Sequence, residues 1–95
     1  MEPWNVVISS ATVREGENHL VLVLGFNSGE EGYEQYAPGI RDVPVIREII
    51  KMVGVREWHE LVGQYVRVRA KDPYGPISAI GHILTDTWID VWDFW

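Results

Sequence analysis

From Tyr65 to Ala70 the chain alternates without a break, Tyr65-Val66-Arg67-Val68-Arg69-Ala70, with an aliphatic or small side chain at every second place. A strand sends successive side chains to opposite faces, so this run predicts one that buries Val66, Val68 and Ala70 and leaves Tyr65, Arg67 and Arg69 outside. Asp72-Pro73-Tyr74-Gly75 follows, with residues that a type I turn favours, and Ile77 to Leu84 supplies the return strand. An isolated hairpin is marginal in water. The remaining residues must extend this sheet and cover its apolar face.

A second hairpin opens the chain. Asn5 to Val13 reads as a strand with Val6 and Ile8 on one face and Val7 and Ala11 on the other; Arg14-Glu15-Gly16-Glu17-Asn18 is a polar turn. Its partner, His19-Leu20-Val21-Leu22-Val23-Leu24-Gly25-Phe26, is apolar on both faces, as in a central strand covered on each side or one lying in a dimer contact. Between Asn27 and Gly39 we expect a short edge strand ending at Tyr36-Ala37, with an ordered loop as the alternative. Asp42-Val43-Pro44 marks a helix start, a capping acid followed by a proline in the first turn. Ile46, Ile49, Ile50 and Val53 then fall at helical spacing, and Gly54 with Val55 provides a glycine cap. A second, short helix is expected with Val55, Trp58 and Leu61 along one side and Gly63 at its end. In the tail, Thr87 and Asp90 can form a capping box that sets Trp88, Trp92 and Trp95 at i, i+4 and i+7; alternatively the tail is irregular and tucks its aromatics against the sheet. The expected fold is α+β, a single domain over residues 1–95 with an antiparallel sheet of four to five strands and two helices packed on one face.

Cysteine is absent, which removes disulfides, thiolate nucleophiles and cysteine-based zinc sites. Apolar residues make up 46% and charged residues 23%, the balance of a globular chain, so wholesale disorder is not expected. No apolar run approaches the ~18 residues of a membrane span, and Met1-Glu2-Pro3-Trp4 lacks a basic signal-peptide head. The expectation is a cytoplasmic protein without a membrane partner. The net charge of −6 is uneven: residues 1–40 hold six acids against Arg14 alone, residues 41–71 hold seven basic groups against four acids, and residues 72–95 hold four acids unopposed. Both ends would oppose a phosphate backbone, so direct nucleic-acid binding is not expected. The acidity either keeps a small protein soluble or attracts a basic partner surface, including one that normally holds nucleic acid.

Catalytic machinery is not evident. His19, His59 and His82 are the groups able to exchange protons near neutral pH, yet none stands in a nucleophile-elbow or His-Glu-x-x-His setting. His82, beside Gly81, is the best candidate for a special role, against the plainer reading of a strand histidine satisfied by a neighbour. Glu57, His59 and Glu60 point in different directions on a helix and cannot share an ion unaided, and Asp86, Asp90 and Asp93 offer at most an oxygen-only site. Catalytic residues, metal ligands and cofactors are therefore assigned as none. Arg67 and Arg69, with Lys71 beyond, could meet phosphate, but intramolecular neutralisation is preferred. Glu30, Glu31 and Glu34 form an acidic segment that Tyr33 and Tyr36 equip as a contact patch, and Asp90, Trp92, Asp93 and Trp95 form an acidic, aromatic tail of the kind that touches another protein.

The series Gly54-Val55, Trp58, Leu61, Gly63, Val66-Arg67-Val68, Ile80-Gly81-His82-Ile83 and Trp88 resembles a group of small uncharacterised proteins encoded by bacteriophages and prophages, over roughly residues 5–92. In the middle the chain departs from that group, carrying Ser28-Gly29-Glu30-Glu31-Gly32-Tyr33-Glu34-Gln35-Tyr36-Ala37 where glycines and a phenylalanine precede a Gly-Tyr-Ala step. The resemblance brings no catalytic residue. It implies a phage accessory protein, and with the acidic surface it suggests a non-enzymatic, anti-CRISPR-like inhibitor that binds a host protein or defence complex with a basic surface, as a monomer or homodimer. A phage assembly protein that self-associates through Leu20–Leu24 or the tryptophan tail is the alternative. A small metal-dependent enzyme using His82 and the C-terminal aspartates is a third.

Overall fold

The computed structural model describes residues 3–27, 34–37, 39–70 and 76–91. Among them, six strands form one antiparallel sheet in the order β3-β2-β1-β4-β5-β6. These are β1 (Trp4–Glu15), β2 (Leu20–Asn27), β3 (Glu34–Tyr36), β4 (Tyr65–Ala70), β5 (Ile77–Gly81) and β6 (Trp88–Asp90). Between β3 and β4 the chain forms one helix, α1 (Val43–Val53), and a 3-10 turn, Trp58–Leu61. The α+β class, both hairpin pairings and the short third strand agree with the sequence. The strand count is six rather than four to five, and the second helix is only a 3-10 turn.

β1 organises the sheet because it is the longest strand and meets its two partners along different parts of its length. Its first residues, Trp4 to Val7, pair with β4, and Val7 to Glu15 pair with β2, with a bulge between Ile8 and Ser10. An extra residue bends a strand and shifts the phase of its side chains. Hence Val6 and Ile8 face the core before the bulge and Ala11 packs against the same core after it, whereas unbroken alternation placed Ala11 on the other face. The sheet curls around this bend. Val21 of β2 and Val91, just past β6, line one cleft of about 280 Å³, although four strand spacings of ~4.8 Å would hold them roughly 19 Å apart in a flat sheet.

Inside the curl lies a single core. Leu22, Leu24 and Phe26 of β2, Val66 and Val68 of β4 and Ile77 and Ile80 of β5 are all buried there. Each such side chain stabilises the fold by about 1.5–3 kcal/mol relative to exposure. α1 covers this face with fully buried Ile49 and half-buried Val45, Ile46, Met52 and Val53, as its apolar spacing requires. Asp42 holds the N-cap position without a side-chain cap bond, so the expected capping acid acts through its carbonyl alone, which accepts from the Ile46 N–H. Gly54 closes α1 at φ 89°, a left-handed conformation, and its N–H donates to the Ile50 carbonyl.

In the 3-10 turn, Leu61 is buried in the core but Trp58 stays 45% exposed. A four-residue turn has too little length to lay Val55, Trp58 and Leu61 along one face. The segment Asp72 to Gly75 lies outside the described residues. Trp88 to Asp90 form an edge strand on β5 instead of starting a helix, because the hydrogen-bonding edge of Ala79, Ile80 and Gly81 is open to them. The His82 N–H donates to the Thr87 carbonyl and closes this third hairpin.

Candidate functional site

The sheet has a second face, and α1 does not cover it. The strand register places Asn5 and Val7 of β1, Tyr65, Arg67 and Arg69 of β4, Ala79 and Gly81 of β5, and Trp88 and Asp90 of β6 on this outer side. Gly25 pairs with Tyr36 and brings that tyrosine to the same side at the β3 edge. Tyr65 is 69% exposed and Tyr36 48% exposed. Aromatic side chains left in water on a solvated sheet face are the residue type that interfaces concentrate.

A cluster on this face centres on Trp88. A Cβ added to Gly81 would stand 2.7 Å from the indole Cε3, so the missing side chain is what lets the ring lie flat across β5. The Arg67 guanidinium lies 4.9 Å and the Arg69 guanidinium 3.9 Å from the ring centroid. Arg67 is fixed further, donating from Nε to the His82 carbonyl at 2.9 Å and from Nη2 to the Thr85 carbonyl. Arg69 Nε is buried and has no hydrogen-bond acceptor among the described residues. Asp86 accepts from the Trp88 indole N–H at 3.2 Å and orients the ring. The expected internal neutralisation of the arginines thus takes another form: among the described residues they meet an indole and backbone carbonyls, and neither forms a salt bridge.

His82 has a local task. Its Nδ1 accepts the backbone N–H groups of Leu84 at 3.0 Å and Thr85 at 3.3 Å, a turn contact of the kind asparagine and aspartate usually make. On the 3-10 turn, Glu57 and Glu60 complete a capping box, and the Glu57 carboxylate lies 3.3 Å from exposed His59 Nε2. Among the described residues no three histidine, aspartate or glutamate side chains gather where they could hold one metal ion. The curled sheet leaves a cleft at its mouth, lined by apolar Val21, Ile40, Val45 and Val91 and rimmed by Glu17, His19, Arg41 and Asp42.

Of the contact residues expected from the sequence, Glu30, Glu31, Tyr33, Trp92, Asp93 and Trp95 lie outside the described residues, and Glu34 is placed by its backbone alone. Tyr36 and Asp90 both lie on the outer face, at its two opposite edges, β3 and β6. They do not form one compact patch. Sequence reasoning placed Arg67 and Arg69 correctly outside but missed their meeting with Trp88. The available signal was the glycine of Ile80-Gly81-His82, a gap into which an aromatic ring can fold.

No protein-family model, curated protein or solved structure matches this chain.

Proposed function

We propose that the protein is a non-enzymatic, phage-encoded inhibitor that acts by binding a host protein, with a CRISPR effector complex as the first target to test. The observation that supports this reading is the outer face with exposed Tyr36 and Tyr65, because among the described residues helical cover lies on one side of the six-stranded sheet only and the second side offers a surface for contact. The net charge of −6 and the acids of residues 28–34 suit a basic partner groove, and an acidic ligand can occupy such a groove in place of nucleic acid. The phage context rests on the sequence resemblance.

A pull-down of the tagged chain from bacterial lysate, with and without an expressed CRISPR effector, tests it against a variant carrying Glu30→Lys, Glu31→Lys and Glu34→Lys. A stoichiometric partner captured by the wild type and lost by the variant, with the melting temperature held within a few degrees, is the expected result. Absence of any partner would contradict it.

One observation favours self-association as a second reading. Leu20 is 66% exposed and Val13 41% exposed on the arm where β1 and β2 project towards their turn. Light scattering that shows mass rising with concentration, and falling back in Leu20→Ser, would support it.

A further inference from the structure

We infer that Arg67, Trp88 and Arg69 form a carboxylate-recognition site, which takes an acidic side chain from an extended segment of a partner protein lying along β4. The inference goes beyond the inhibitor reading and does not depend on it. Two guanidinium groups lie within 4.9 Å and 3.9 Å of one indole centroid, and among the described residues no carboxylate forms a salt bridge with either. Two like charges held side by side, with no ion pair to either among the described residues, favour an incoming anion. Both forks are fixed before the ligand arrives, Arg67 by the His82 and Thr85 carbonyls and Arg69 by stacking on Trp88, so little side-chain freedom is lost on binding. Arg67 Nε and Nη2 are engaged by the His82 and Thr85 carbonyls, so Arg67 offers a carboxylate its Nη1 end.

The surroundings decide between a protein segment and a nucleic acid. Asp86 and Asp90 stand exposed on the neighbouring β5–β6 hairpin and the whole chain is acidic, so a polyphosphate passing over the cluster would meet repulsion on either side. A single carboxylate brings one charge to two guanidinium groups and so meets far less of that repulsion than a run of phosphates does. Tyr65 lies two residues before Arg67 on the same face of β4 and is 69% exposed. Alternate residues of a strand lie about 6.6 Å apart on one face, so an extended segment that sets its acid on the arginines brings the side chain two places away onto Tyr65. The recognised pattern is an acidic residue with an apolar one two positions from it.

The test uses a blocked Leu-Ser-Glu-Ser-Leu peptide, its glutamine counterpart and a short oligothymidine, each titrated into the full chain while the Trp88 indole N–H and Arg69 Nε–H resonances are followed by NMR. The glutamate peptide is expected to shift both resonances saturably, and the glutamine peptide to bind at least about tenfold more weakly, the loss typical of a charge-assisted pair. Arg69→Gln should abolish the shift at Trp88 while leaving the resonances of the α1 core in place. Should that variant fail to fold, Arg69→Lys, which keeps the charge but not the fork, is expected to weaken binding several-fold. Equal responses to the glutamate and glutamine peptides, undiminished binding by the folded Arg69 variant, or saturation by oligothymidine alone would overturn the inference.

Discussion

Gly81 and Trp88 show how one absent side chain organises a surface. With a Cβ at Gly81 only 2.7 Å from the ring, Gly81→Ala must push the indole away from β5 and disturb its stacking with both arginines. Overpacking of this kind costs about 1–3 kcal/mol, and a urea titration of Gly81→Ala should show a loss in that range. His82 acts at a similarly local level. Removing its imidazole in His82→Ala strips the acceptor from two turn N–H groups that water can partly satisfy, so the expected loss is about 1 kcal/mol. His82→Asn, whose side-chain oxygen can accept the same N–H groups, should recover most of that stability. The sequence marked His82 as unusual through its glycine neighbour. It could not show that the ring serves its own turn, since that depends on where β6 returns.

The elements that were legible are those whose apolar period is long or strict. β4 and α1 repeat their buried positions often enough to define a face, and Ile49 is at the centre of the α1 stripe with no exposure, while the unbroken apolar run of β2 marked a strand without marking its inner side. Ile49→Ala should lower stability by about 2–5 kcal/mol, read from the midpoint of chemical denaturation. Shorter elements were misread because local pattern and tertiary pairing disagreed. Thr87, Trp88 and Asp90 satisfy a helix-start pattern, but the open edge of β5 offers a full backbone ladder, and pairing prevailed over local preference. The bulge of β1 was illegible for a different reason: Ser9 and Ser10 fit either face, so nothing in Asn5 to Val13 announces the extra residue. Its importance can be tested by deletion. Loss of Ser9 removes the extra residue but leaves Ala11 two places after Ile8, still on the core face, so the deletion variant keeps its inward pattern and loses only the bend; if the curl of the sheet needs that bend, the melting temperature should fall. A variant with an unchanged melting temperature would show that the bend does not depend on the bulge.

At the level of the protein, the two-partner β1 lets a short chain close its core with one helix. Because β1 pairs with β4 at one end and β2 at the other, the sheet curls until Val21 and Val91 share a cleft, and much of the cover for the core comes from the sheet itself. Among the described residues that economy leaves the outer face without helical cover. On it, Tyr36 and Asp90 were legible as exposed residues, whereas the arginine–tryptophan cluster was not, because spacing along the chain does not reveal which strand lies beside β5. The face carries opposed chemistry: an arginine pair near β4, and acids on the hairpin beyond it. Such a surface fits a protein partner better than a nucleic acid, in keeping with the inhibitor proposal. The deciding measurement is phage plating efficiency on a CRISPR-immune bacterial host that expresses this chain, beside a host expressing the Glu30→Lys, Glu31→Lys, Glu34→Lys variant at the same level. Plating restored by orders of magnitude with the wild type and not with the variant is the expected result. Plating that stays at the immune level, with the protein folded and abundant, would contradict inhibition of that defence.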